Sequence, residues 1–241
     1  MGGGKVERAL SKVNLTLPMK AALVIGSLSF LALIAPTAIQ RYGPAVMYLY
    51  GSIPFAYLVT RAFTGENISE VGSTNAGVAN TYNMAGMVPG TLTVIGEISK
   101  GVIPVAVSYF FFSFSLEVAC FLLAGSLLGT NFSVFLKGKG GMGTTMMMWS
   151  LLFLSPLSLA VMLAVMIASF RTFKDTYRME LFNYALGPLW VAILDGRPPL
   201  VALTVFAAFI YVVKLKRNMD DFRFGRSGMG RMVRRRDGSE S

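Results

Sequence analysis

Long apolar segments separated by short polar loops dominate the hydropathy pattern of the chain. A helix that crosses a bilayer needs roughly 20 apolar residues, and fewer where it is tilted or partly buried in protein. We therefore expect an all-α, polytopic helical membrane protein. The pattern predicts its spans at about 20–39, 43–63, 86–109, 112–133, 143–154, 156–171, 180–195 and 198–214.

The apolar segment 144–170 is long enough for one helix or for two short ones. Ser155–Pro156 interrupts it, and proline is poorly tolerated inside a helix but common in its first turn. We prefer two short helices, because an even number of spans puts both basic termini on the same side of the membrane as the more basic loops.

The positive charges then divide unequally between the two sides of the membrane. Cytoplasmic loops carry an excess of lysine and arginine, so both termini and the loop at 137–143 are predicted to be cytoplasmic, in a multi-pass protein of the cell membrane. The cytoplasmic loops hold Arg61, Lys137, Lys139, Arg171, Lys174 and Arg178, and the opposite side holds only Arg41 and Arg197.

The composition excludes several other classes of protein. Of the 241 residues, 54% are hydrophobic and 14% are charged, whereas soluble domains usually carry about a quarter charged residues. The net charge of +10 lies in short loops and at the ends, so we expect no nucleic-acid partner. The single cysteine, Cys120, excludes a disulfide framework, and the chain contains no histidine, the usual general base near neutral pH.

The chain divides into three parts. Residues 1–42 hold a basic segment and the first span, residues 43–214 form a membrane core, and residues 215–241 form a basic, flexible cytoplasmic tail. The first span lacks a convincing small-residue cleavage site, which favours a retained helix over a signal peptide. The tail is expected to be solvated or to lie on the anionic headgroups of membrane lipids.

Two polar loops carry groups that bind anions. The asparagine loop (residues 72–80) combines small residues with hydroxyl and amide groups, although a simple polar turn would look the same. The glycine-rich loop (residues 137–143) offers backbone N–H groups and the charges of Lys137 and Lys139 at the start of a helix, although it could be a flexible turn. The candidate contacts are Ser73, Asn75, Gly77, Asn80, Gly138, Gly140, Gly141 and Gly143. The glycine-rich loop lacks the spacing of a Walker A motif.

Ionisable residues also lie inside the apolar segments. Glu97 and Lys100 are three residues apart in the span 86–109, so they can pair on one helix face. Charges inside a bilayer are costly and often functional, so an active-site role competes with a structural ion pair.

The segment from about 48 to 156 resembles the PlsY family of bacterial acyl-phosphate:glycerol-3-phosphate acyltransferases. The family pattern G-S-I-P-x-x-Y-L, followed by a basic residue, is met by Gly51–Leu58 and Arg61. The pattern G-S-G-N-x-G-x-T-N is met by the asparagine loop, where Thr74 replaces a glycine and Ala79 a threonine.

Two further family patterns follow in the same order. D-x-x-K-G appears with Glu97 and Lys100, and F-L-K-x-K-G-G-K-G appears at 135–143, where Met142 replaces the last lysine. L-S-P follows at 154–156. Several motifs in the right order across about a hundred residues make the resemblance specific.

The resemblance implies a seven-helix acyltransferase-like core with one extra N-terminal transmembrane helix. It implies transfer of an acyl group from acyl phosphate to glycerol 3-phosphate, with no metal and no other cofactor. Matching family positions imply catalytic roles for Ser52, Lys139 and Asn218. They imply a phosphate-binding role for Arg61 and a polar pocket lined by Asn75, Asn80 and the glycine-rich loop.

This sequence departs from the family at two motifs. Where the family has G-H-x-F-P, Thr130 and Ser133 replace the histidine and the proline. In the third motif, H-x-x-N-I-x-R-L followed by G-x-E, the histidine, arginine and glutamate become Leu215, Asp221 and Ser227. These changes leave open another phosphorylated acceptor, or a non-catalytic membrane protein that binds lipid headgroups or serves as a scaffold. A transporter is a weaker alternative, since no paired broken helices are apparent.

Overall fold

The computed structural model describes residues 36–173 and 176–214, which fold into α-helices joined by short loops. A 3-10 turn, Val134–Leu136, opens the long loop before α6. The helices are α1 (Pro36–Gly51), α2 (Phe55–Thr64), α3 (Val78–Ala85), α4 (Met87–Phe112), α5 (Leu116–Asn131), α6 (Thr144–Leu154), α7 (Pro156–Phe173), α8 (Thr176–Leu194) and α9 (Pro198–Lys214).

Most predicted spans match one helix, but the predicted span 43–63 does not. Two helices occupy this predicted span: α1 ends at Gly51, and α2 begins after Pro54. Proline has no N–H and disfavours a helical conformation in the residue before it, which explains the break. The predicted break at Ser155–Pro156 is observed between α6 and α7.

Both ends of the predicted arrangement lie largely beyond the described residues. Residues 40–42, which the hydropathy pattern places between two spans, belong to α1. Most of the predicted first span lies outside the described residues, and so does Asn218 with the whole tail.

Small residues bring α1 and α5 into close contact. A Cβ on Gly51 would collide with the Ser126 backbone, and Cβ atoms on Gly125 and Gly129 would collide with the backbone of α1. Small residues at helix interfaces let backbones approach closely, as is common in membrane proteins. This contact fixes the end of α1 against the end of α5, where the glycine-rich loop begins.

The outer surface of the bundle is apolar. The main core cluster contains residues from each of the helices α4 to α9. Other large apolar side chains face outward: Phe110, Phe121, Ile193 and Phe209 are each more than 60% exposed. The segments Met87–Phe112 and Leu116–Leu136 are long and apolar enough to cross a membrane. Exposed apolar side chains on such helices indicate that lipid, not water, surrounds the bundle.

Glu97 and Lys100 form an ion pair inside the bundle. The Lys100 ammonium lies 2.7 Å from the Glu97 carboxylate, and both residues are buried. The ammonium also lies 5.3 Å from the centroid of the Phe55 ring. Because each charge has its partner within α4, the bundle can bury both at a tolerable cost.

The turn between α8 and α9 lies at the other end of the bundle from the glycine-rich loop. Arg197 pairs with Asp195 at 2.6 Å and donates to the Leu154 carbonyl at the end of α6. Hydrogen bonds from the Arg197 guanidinium hold the pKa of Asp195 at about 2, below its usual value. The Arg197 side chain therefore connects the start of α9 to the end of α6.

Candidate functional site

The break between α1 and α2 is joined to the start of the glycine-rich loop. The Ser133 hydroxyl donates to the Ser52 carbonyl at 2.5 Å, and the Thr130 hydroxyl donates to the Gly51 carbonyl at 3.3 Å. Thr130 and Ser133 stand where the family has histidine and proline. In this chain their hydroxyls join two of the predicted site segments.

The glycine-rich loop also lies against the asparagine loop. A Cβ on Gly141 would lie 2.7 Å from the Ala76 carbonyl oxygen and 3.9 Å from the Gly77 Cα. Leu136 packs against an apolar cluster that contains Ala56 and Ala76. The three motif segments therefore meet at one end of the bundle.

Asn80 holds the asparagine loop together from the inside. Its side-chain oxygen accepts from the Ser73 N–H at 3.0 Å, and its amide nitrogen lies 3.0–3.1 Å from the carbonyls of Ile68, Val71 and Asn75. The residue is only 4% exposed. Its amide donors are thus used by carbonyls of residues 68–75, so Asn80 braces this segment from the inside.

Three backbone N–H groups of the asparagine loop are used in the same way. Besides Ser73, Thr74 donates to the Val71 carbonyl at 3.0 Å, and Gly77 donates to the Asn75 carbonyl at 2.9 Å. Thr74 adopts a left-handed conformation with φ of 58°, which is unusual for a β-branched residue. Among the described residues, the N–H groups of Gly72, Asn75 and Ala76 donate to no acceptor, so the loop keeps part of its donor capacity.

The first half of the glycine-rich loop is also internally bonded. The N–H groups of Gly138, Lys139 and Gly140 donate to carbonyls of residues 131–136 at 2.8, 3.0 and 3.1 Å. The expectation that all four glycines present free N–H groups is therefore wrong for Gly138 and Gly140. These bonds close the loop back onto the end of α5.

Two N–H groups in the second half of the loop make no hydrogen bond. In the part of the chain that the structure describes, the N–H groups of Gly141 and Gly143 donate to no acceptor. Gly143 has a left-handed φ of 75° and precedes the first residue of α6. Free N–H groups at a helix N-terminus favour an anion, because the helix dipole adds positive potential there.

The predicted cationic residues lie on the outside of this site. Lys137 and Lys139 are exposed in the glycine-rich loop. Arg61 is also exposed, and its guanidinium donates to the Gly65 carbonyl at 2.6 Å, at the end of α2. Arg61 must release this carbonyl before it can bind an anion, whereas the two lysines are closer in sequence to the free N–H groups.

Two predicted site residues carry buried polar atoms without a partner. Among residues 36–173 and 176–214, the Ser52 hydroxyl and the Asn75 side-chain oxygen make no hydrogen bond. Ser52 is fully buried beneath the loop that Ser133 begins. An unsatisfied buried polar atom costs about 1–3 kcal/mol, which a bound ligand or water can recover.

Sequence reasoning missed the side chains that hold the glycine-rich loop from behind. The buried Lys214 ammonium donates to the carbonyls of Gly140, at 2.7 Å, and Gly141. The Tyr184 hydroxyl donates to the Met142 carbonyl at 3.4 Å. Lys214 lies at the end of an apolar segment. From the sequence alone, a lysine there that binds a loop looks the same as one that only sets the orientation of its helix in the membrane.

Comparisons with known proteins agree with the fold and the motif order. A family model described as glycerol-3-phosphate acyltransferase matches residues 43–225. The glycerol-3-phosphate acyltransferase of Geobacter sulfurreducens is 36% identical over 181 residues, covering 75% of this chain and 92% of the relative. That of Geobacter metallireducens is 35% identical over 178 residues, covering 74% and 91%.

Solved structures share this helical arrangement. The glycerol 3-phosphate form of PlsY, an integral membrane glycerol 3-phosphate acyltransferase, superposes with a TM-score of 0.67 at 22% identity, covering 77% of this chain and 92% of PlsY. The lysophosphatidic acid form gives 0.65 at 20% identity. The chain therefore has the fold of a polytopic membrane acyltransferase. It belongs to the glycerol-3-phosphate acyltransferase family.

Proposed function

We propose that this protein is a membrane acyltransferase that moves an acyl chain from acyl phosphate to a hydroxyl of glycerol 3-phosphate. The observation that carries the proposal is the pair of free N–H groups at Gly141 and Gly143, beside two exposed lysines and the start of α6. Family membership and the names of the relatives support the same reaction. The product is lysophosphatidate, a precursor of phospholipids.

The reaction balances without a histidine. The glycerol 3-phosphate hydroxyl attacks the acyl carbon, a new carbon–oxygen bond forms, and the bond to the phosphate breaks. The hydroxyl proton passes to a phosphate oxygen of the substrate, because the chain has no imidazole to accept it. The leaving group is inorganic phosphate, so acyl phosphate supplies the activation.

The residues of the site have different roles in this reaction. The N–H groups of Gly141 and Gly143 bind a phosphate oxygen or the oxyanion of the attacked carbonyl. Lys137 and Lys139 add charge-assisted bonds to phosphate, and such bonds are about twice as strong as neutral ones. Ser52 offers its unpartnered hydroxyl. The roles of Arg61 and Asn218 remain predictions of the family resemblance.

The placement in the membrane is part of the proposal. Both termini and the glycine-rich loop face the cytoplasm, where a water-soluble phosphorylated acceptor is available. The positive-inside distribution supports this orientation. Residues 1–42 are an added segment, which is supported by a family match that begins at residue 43.

A second acceptor is a specific alternative. The family's third motif loses its histidine, arginine and glutamate at Leu215, Asp221 and Ser227. The loss of these groups leaves another phosphorylated alcohol as the alternative acceptor, whereas the names of the relatives support glycerol 3-phosphate. Acyl phosphate remains the donor under this alternative.

Acyl transfer by the purified protein in lipid vesicles tests the proposal. Radiolabelled glycerol 3-phosphate and acyl phosphate are the substrates, and labelled lysophosphatidate is the product measured. Lys139→Ala is expected to lower product formation about tenfold, the scale of one charged hydrogen bond. Arg41→Ala is the matched control, because it removes an exposed cation from α1.

Each outcome decides between the alternatives. Product that falls in Lys139→Ala and persists in Arg41→Ala supports the proposal. Folded protein that binds acyl phosphate but forms no product overturns glycerol 3-phosphate as the acceptor. Folded protein that forms no product and binds no acyl phosphate overturns the enzyme and leaves the scaffold.

A further inference from the structure

A polar cluster lies behind the glycine-rich loop, where the family motifs place no residue. It consists of Glu180 and Tyr184 on α8, Lys214 at the end of α9, and Thr144 at the start of α6. The Thr144 hydroxyl lies 3.5 Å from both the Glu180 carboxylate and the Tyr184 hydroxyl. Tyr184 stacks on Tyr211 with ring centroids 4.4 Å apart.

Lys214 is the centre of this cluster. It is only 5% exposed, and its ammonium donates to the carbonyls of Gly140 and Gly141. A buried ammonium is costly unless it is hydrogen-bonded and balanced by an opposite charge. The Glu180 carboxyl group interacts electrostatically with Lys214 and balances its charge when it is ionised. A lysine that only orients its helix would extend to the membrane surface instead.

These contacts determine where the loop's N–H groups point. In a planar trans peptide the carbonyl of one residue and the N–H of the next point in opposite directions. Because Lys214 attracts the Gly140 carbonyl, the Gly141 N–H must point away from Lys214. The Tyr184 hydroxyl bonds to the Met142 carbonyl, so the Gly143 N–H points away from Tyr184.

We propose that Lys214, supported by Glu180 and Tyr184, is a positioning group that holds the glycine-rich loop in its anion-binding conformation. Lys214 binds the carbonyl of the Gly140–Gly141 peptide and Tyr184 binds that of the Met142–Gly143 peptide, which leaves the N–H groups of Gly141 and Gly143 for a phosphate. A cation on the carbonyl side also polarises each peptide, which strengthens its N–H as a donor. This inference rests on the proposed function for the identity of the anion, but the loop conformation itself can be measured without turnover.

The test compares Lys214→Met with Lys214→Arg in the full-length protein. Methionine keeps the length and apolar stem but removes the charge and donors, whereas arginine keeps both. We expect Lys214→Met to speed hydrogen exchange at the amides of residues 138–144 about tenfold. We also expect it to raise the KM of a phosphorylated substrate about tenfold, with a smaller change in kcat. Lys214→Arg should recover most of both effects.

Arg197→Met is the matched control. Arg197 lies at the other end of α9 and also donates to a backbone carbonyl, that of Leu154. Its removal should lower the melting temperature without changing hydrogen exchange in the glycine-rich loop or the KM. If Lys214→Met does not fold, Tyr184→Phe removes one loop contact while keeping the aromatic stacking, and should speed loop exchange by a smaller factor.

The outcomes separate this inference from the proposed function. Unchanged loop exchange and KM in Lys214→Met, or equal effects in Arg197→Met, would overturn the positioning role. If the wild-type protein transfers no acyl group, protection of the same amides by inorganic phosphate provides the readout. Phosphate protection that is lost in Lys214→Met supports the positioning role even then, whereas equal protection in both proteins contradicts it.

Discussion

The asparagine loop and the glycine-rich loop look alike in the sequence but differ in their hydrogen bonds. Both are short, polar and rich in small residues. In the asparagine loop, the N–H groups of Ser73, Thr74 and Gly77 donate to acceptors in residues 71–80, whereas those of Gly72, Asn75 and Ala76 donate to none in the described part of the chain. In the glycine-rich loop, the N–H groups of Gly141 and Gly143 make no hydrogen bond within the described residues. Both loops therefore keep unused N–H groups, and the glycine-rich loop differs by the two exposed lysines beside its free donors and by the helix that starts directly after it.

The two loops have complementary roles. The asparagine loop is braced by Asn80, and its Ala76 carbonyl lies against Gly141 of the other loop. The glycine-rich loop is the binding element, held from behind by Lys214. Changes in the first loop should therefore act mainly on stability, and changes in the second mainly on substrate binding and catalysis.

The largest effect is expected from Gly141→Ala. Its Cβ would meet the Ala76 carbonyl at 2.7 Å, so the loops must separate and the Gly141 N–H must move. We expect kcat/KM for acyl transfer to fall about a hundredfold, the scale of removing one oxyanion donor. Gly187→Ala in α8 is the control, because its Cβ meets nothing within 4 Å. Equal activity in both variants would refute the binding role of this loop.

Asn80→Ala should act on stability. It removes four contacts at once and leaves buried carbonyls unsatisfied, so we expect a loss of about 3 kcal/mol in the free energy of unfolding in detergent. Asn75→Ala is the comparison within the same loop, since the Asn75 side-chain oxygen has no partner, and should change stability by less than about 1 kcal/mol. Similar losses for the two asparagines would contradict the supporting role of Asn80.

The lysines of the glycine-rich loop should produce an effect that depends on salt. Exposed charges are screened by ions, so higher ionic strength is expected to weaken glycerol 3-phosphate binding by the wild-type protein. The double variant Lys137→Gln, Lys139→Gln should bind about tenfold more weakly at low salt and respond less to added salt. The measurement is calorimetric titration in nanodiscs. A salt response that is unchanged in the double variant would place the phosphate elsewhere.

The smallest effect is expected from Thr74→Gly. Thr74 has a φ of 58°, and glycine adopts this conformation without steric cost. The Thr74 hydroxyl bond to the Ser73 carbonyl is lost, so the net gain should be only about 1 kcal/mol in the free energy of unfolding. Thermal unfolding would detect it, and a lower melting temperature would show that the hydroxyl bond outweighs the strain.

The sequence predicts the helices better than it predicts their ends and contacts. The break at Pro156 could be foreseen because proline interrupts an apolar run. The break before Pro54 was missed although the same rule applies there, because a proline does not always end a helix: Pro44 and Pro104 lie inside helices. Asn80 was predicted as a ligand residue, since a sequence shows an amide but not the carbonyls around it. Lys214 was missed because its partners lie more than seventy residues away.

The most direct test of this account is a titration of glycine-labelled protein in nanodiscs with glycerol 3-phosphate, followed by nuclear magnetic resonance of the amide signals. The account predicts that the N–H signals of Gly141 and Gly143 shift on binding, while those of Gly72 and Gly77 stay close to their original positions. Shifts confined to Gly72 and Gly77 would contradict it, and would make the asparagine loop the binding element.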